Sequence, residues 1–69
     1  MDLRRVIGRN VRLIRDARGA SQEELAHLAG IHVTYLSGIE NGRRNPTVLV
    51  LARIASGLQV EPERLLREE

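Results

Sequence analysis

The chain has 69 residues, of which 42% are hydrophobic and 29% charged, with a formal net charge of +2. That is one small domain, residues 1–69, too apolar for a disordered chain, and its longest apolar run, Val48 to Ala52, is far too short to span a membrane. Cysteine is absent and Tyr35 is the one aromatic residue, which excludes disulfide scaffolds, cysteine-based zinc modules and thiol chemistry and requires an aliphatic core.

A domain this short buries only about 60% of its unfolded surface. Walling off a substrate cavity would leave little to hold the fold, so no enzyme, cofactor or small-molecule ligand is expected. Met1-Asp2 opens on no basic-then-apolar leader, consistent with a cytoplasmic location. Charge is unevenly spread. Residues 1–20 carry six Arg and two Asp, residues 21–40 three Glu, residues 41–53 three Arg, and residues 54–69 four Glu and two Arg. Two basic blocks on a balanced chain fit a one-sided anion-binding face.

Leu3, Val6, Ile7, Val11, Ile14 and Ala17 recur at three and four residues, with Arg4, Arg5, Arg9, Arg12 and Arg18 mainly between them. This predicts an amphipathic helix of about four turns, stopped at Gly19. Ser21, with Glu24 three residues on, is a capping box, and Leu25, Ala26, Leu28 and Ala29 form the inward stripe of a second helix ended by a left-handed Gly30. A third helix runs from about His32 to Glu40, with Leu36 and Ile39 inward, and stops at Asn41-Gly42. Arg43 to Pro46 form a loop, and Thr47 caps a fourth helix reaching Gly57 or Leu58. Pro62 fits the first turn of a brief fifth helix carrying Leu65 and Leu66. No strand pattern appears, so the expected class is all-α.

Two short helices joined through Gly30 describe a helix-turn-helix, whose second helix enters the DNA major groove by its N-terminal end. The stretches Ser21-Gln22-Glu23-Glu24-Leu25-Ala26, Ala29-Gly30-Ile31 and Tyr35 through Pro46, continued by Leu51, Ile54-Ala55, Leu58, Val60 and Leu65, resemble the lambda-repressor and Cro-like family of bacterial and phage regulators. The resemblance spans Ile7 to Leu66. It implies a compact five-helix domain that occupies a double-stranded DNA operator as a transcriptional regulator, on the nucleoid.

The residues outward on the third helix are His32, Val33, Thr34, Ser37 and Gly38, and the resemblance places Val33, Thr34 and Gly38 at base-reading positions. None of these three can make the bidentate contact worth about 1–3 kcal/mol of discrimination, so thymine methyls, His32 and DNA shape are expected to carry operator choice. Gly38 admits close approach of either DNA or another helix. For phosphate contact the candidates are Gln22, Tyr35, Asn41, Arg43 and Arg44. Gln22 sits in the positive first turn of the second helix, where it can reach a phosphate or brace the neighbouring helix. Tyr35 has a ring for core packing and a hydroxyl within reach of the backbone. Arg43 and Arg44, with the backbone N–H groups after Asn41, form the expected second phosphate clamp. The resemblance also pairs Arg15 with Glu40 as a partly buried structural ion pair. His27 and His32 lack a third ligand, so no metal site is expected.

On the fourth helix, Val48, Leu51, Ala52, Ala55 and Leu58 read as the core stripe, leaving Leu49, Val50 and Ile54 off it. With Leu66 they form a surplus apolar patch that predicts a two-fold homodimer. Thr34 through Glu40 followed by Arg44-Asn45-Pro46 is also similar to the controller proteins of restriction-modification systems, although Val33 stands where those often carry Arg. Two other readings use the same residues: a protein-binding module such as an antitoxin, and the DNA-binding half of a longer ligand-sensing regulator.

Overall fold

The computed structural model describes residues 1–68. Four α-helices follow one another, α1 Leu3–Ala17, α2 Gln22–Ala29, α3 Val33–Glu40 and α4 Val48–Leu58, before a 3-10 helix Pro62–Leu66. No strand occurs among the described residues.

Local chemistry sets most boundaries. Asp2 and Thr47 accept from backbone N–H groups at the starts of α1 and α4. Ser21 and Glu24 exchange both hydrogen bonds of a capping box at α2. Gly30 ends α2 at φ +70°, a conformation that costs other residues about 1–2 kcal/mol. Gln59 adopts the same left-handed geometry at φ 60° after α4. The fifth helix expected from Pro62 is a single 3-10 segment rather than an α-helix. Five residues with one buried side chain, Leu65, give too few bonds to propagate an α-helix.

Val11, Leu25, Leu36, Ile39, Ile54, Leu58 and Leu65 are the largest fully buried side chains, so every helix contributes to one aliphatic core. Positions read from the stripes of α2 and α4 move. Ile54, read as lying off the core stripe and in the dimer patch, is completely buried. Val48, read as inward, is 85% exposed. The true stripe is Leu51, Ile54, Ala55 and Leu58, and Val48, at the first helical position, lies beyond the edge of the packed layer. Leu28, read as inward, is likewise exposed, while Leu25 and Ala29 of the same helix are buried.

Two devices that fix helix positions have no periodicity signal. A Cβ at Gly8 would strike the carbonyl oxygen of Ile39 and come within 2.8 Å of that of Glu40, so α1 rests directly on the backbone at the end of α3. Asn10, also buried, donates its amide to the carbonyls of Leu65 at 2.9 Å and Arg67 at 2.8 Å, fastening the C-terminal segment to α1.

Candidate nucleic-acid interface

With Leu36, Ile39 and Glu40 buried, the opposite side of α3 must face outward. There Val33, Thr34, Ser37 and Gly38 line an open groove whose far walls are Gln22 of α2 and Asn41, Arg43 and Arg44 beyond α3. Val33 and Thr34, at its leading turn, are exposed. His32 is exposed at the N-cap, makes no capping bond and lies outside the groove lining.

Glu40 holds this arrangement in place. Its side chain is 2% exposed and accepts from Arg15 Nε at 2.7 Å and Arg15 Nη2 at 2.9 Å, a bidentate pair. Gln22 Nε2 donates to the same carboxylate at 2.9 Å, and Arg15 Nη1 donates to the carbonyl of Ala20. One carboxylate therefore joins α1, α2 and α3 and sets the angle of the helix-turn-helix. Hydrogen bonding to Glu40 raises the Arg15 pKa above its ordinary value against the opposing effect of burial, with the charges of Glu40 and Asp16 adding to the rise. Of the two roles open to Gln22, the structure displays the brace, with the side chain also lining the groove.

At Gly38 the space a side chain would fill is taken by Arg44, not by another helix. A Cβ there would collide with Cγ of Arg44, whose stem crosses the gap and brings the guanidinium to 4.9 Å from the centroid of the Tyr35 ring. Tyr35 is half-buried against the core and forms the platform for that cation–π contact. Sequence spacing could not reveal this, since Arg44 lies in a loop six residues after Gly38.

The loop amides require a correction. The N–H of Gly42 donates to the carbonyl of Ile39, and those of Arg43 and Arg44 both donate to the carbonyl of Gly38 at 2.9 and 3.2 Å. They complete the end of α3 instead of facing an incoming anion. Arg43 is exposed and, among the described residues, takes part in none of the ion pairs. No group of three His, Asp or Glu side chains capable of holding a metal occurs among the described residues. No described helix is long and apolar enough to cross a membrane.

A short helix held by its neighbour through a glycine turn, its outer face open beside arginines, defines a helix-turn-helix protein. Residues 11–65 match the helix-turn-helix family model, and the chain belongs to that family. It is 41% identical over 66 residues to an uncharacterized HTH-type transcriptional regulator, y4dJ of Sinorhizobium fredii, covering 96% of this chain and 86% of the relative. It is 35% identical to control protein C.SmaI of Serratia marcescens over all of this chain and 82% of that one. The crystal structure of the restriction-modification controller protein C.AhdI from Aeromonas hydrophila superposes with a TM-score of 0.88 at 37% identity, covering 90% of this chain and 94% of that chain.

Proposed function

We propose that residues 1–69 act as one sequence-specific, double-stranded-DNA-binding regulator of transcription that occupies an operator as a homodimer, in the cytoplasm on the nucleoid. The observation that carries this reading is the groove itself. Val33 and Thr34 stand on the exposed leading turn of α3, and Arg43 and Arg44 rim the same concavity. An α-helix enters a major groove about 12 Å across, and the guanidiniums beyond the end of α3 are suited to phosphates. Val33 offers methyls to a thymine methyl, Thr34 one hydroxyl, and DNA shape supplies further discrimination. Similarity to C.SmaI and C.AhdI supports a role of the controller kind.

Size supports a pair of copies. The longest dimension of the molecule is 29 Å, while equivalent half-sites lie about 34–36 Å apart, so one copy reads one half-site. Exposed apolar residues support it too: Leu49 at 65% exposure and Leu66 at 42%, with Val50 half-buried and Val48 exposed on α4. Ile54 drops out of this surface because it is core.

Titration of the protein against a random-sequence duplex pool, followed by selection of the retained sequences, tests both parts. Binding should weaken with salt, and Arg43→Ala should flatten the slope of log K against log salt by about 0.9. No complex in dilute buffer refutes DNA binding. Sedimentation that shows a monomer at tens of micromolar, unaltered by Leu49→Glu, refutes the dimer.

A further inference from the structure

The basic surface does not stop at the groove. Arg5, Arg9 and Arg12 sit at i, i+4 and i+7 of α1, on one face, and span about 10 Å along the helix axis. All three are exposed, and among the described residues none belongs to an ion pair. They line a shallow hollow together with Asn41 and Gly42, where the stem of Arg5 runs alongside Gly42. Asn41 also lines the α3 groove, so the two concavities share a wall. Glu40, the one acidic residue at this hollow, is already neutralised by Arg15 and capped by Gln22.

The row's other flank differs. There Arg5 and Arg9 border a second hollow with Arg67 and Glu68, where both signs of charge occur. Of the row's two flanks, the one with positive charge unopposed is the side that runs into the α3 groove. Resting on the DNA-binding reading above, the geometry points to Arg5, Arg9 and Arg12 as a second phosphate-gripping row. It tracks the duplex backbone next to the α3 groove and contributes affinity but no base discrimination. A duplex is favoured over an acidic peptide because Asn41 makes the row continuous with a surface already shaped for one.

The test is a salt titration of the full chain on a duplex recovered from the random pool, comparing wild type with Arg5→Gln/Arg9→Gln/Arg12→Gln and with the matching triple Lys variant. Each phosphate left without its cation takes about 0.9 off the salt slope, so the slope of the Gln triple should be shallower by about 2 to 3. The Lys triple should keep most of the slope, and the base preference of the Gln triple should match wild type. Thermal melting of all three proteins should coincide, since the residues are exposed. A wild-type protein that binds, with an unchanged slope in the Gln triple, overturns the α1 row alone and leaves it as a surface for some other anion such as an acidic peptide. An altered base preference overturns it too. A wild type that binds no duplex overturns the DNA-binding reading and this inference with it.

Discussion

Removing the Glu40 side chain tests how the helix-turn-helix is held. In Glu40→Ala the Arg15 guanidinium, whose side chain is 11% exposed, keeps the carbonyl of Ala20 and a longer 3.5 Å approach to Asp16, but loses its bidentate partner. Gln22 loses its acceptor as well. Breaking a buried pair by truncating one side costs about 3–5 kcal/mol, because the remaining charge stays desolvated. A chain of this length has about 3–10 kcal/mol in total. At about 4–8 °C per kcal/mol, the melting temperature should fall by at least about 12 °C, and the domain is at the edge of unfolding at room temperature. Circular dichroism melts measure this directly. The double variant Arg15→Met/Glu40→Leu, which leaves no orphan charge, should recover much of the loss. A raised Arg15 pKa means that its stabilising charge is present below the unfolded value and fades only as pH climbs through the folded one. The gap between wild type and Glu40→Ala should therefore stay constant from about pH 7 to 10. A Tm change below about 4 °C for Glu40→Ala would refute the role of the carboxylate as the joint of three helices.

Three further substitutions probe separate features. Gly38→Ala gains about 1 kcal/mol of helix propensity but evicts the Arg44 stem and a cation–π contact worth about 0.5–1 kcal/mol, so stability should hold while duplex affinity changes. A Tm loss above about 8 °C there would show a backbone-packing role instead. Asn10→Ala should cost about 1–3 kcal/mol and speed amide exchange in the C-terminal segment, and an unmoved Tm would contradict the tether. Gln59→Gly relieves a left-handed φ and should raise stability by up to about 1 kcal/mol, despite losing the exposed 3.2 Å bond from Arg18; a lowered Tm would contradict this.

What the sequence made legible was local. Ser21 with Glu24, Gly30 and Thr47 signal helix ends because their partners lie within a few residues, and the Leu36/Ile39 spacing orients α3 without knowledge of its neighbours. What stayed hidden depends on where helices cross. Ile54 and Val48 exchanged roles because a stripe drawn on an isolated helix cannot show where its first turn overhangs the core. Gly8, a glycine inside an amphipathic helix, is a signal that could have been read as close backbone approach. Asn10 carried no such mark, since its acceptors lie 55 and 57 residues away. The Arg44 stem over Gly38 and the engaged amides of residues 42–44 arise from how the loop folds back on α3, which no periodicity encodes.

The proposed function requires the leading turn of α3 to enter the duplex. Amide and methyl NMR of the labelled protein, recorded as a selected duplex is added, reads that approach residue by residue. The largest shifts should fall on Val33, Thr34, Ser37 and Gly38 and on Asn41 to Arg44, with Val33 methyls close to thymine methyls. Shifts confined to α4 or to the outer face of α2, with α3 unmoved in a formed complex, would contradict it.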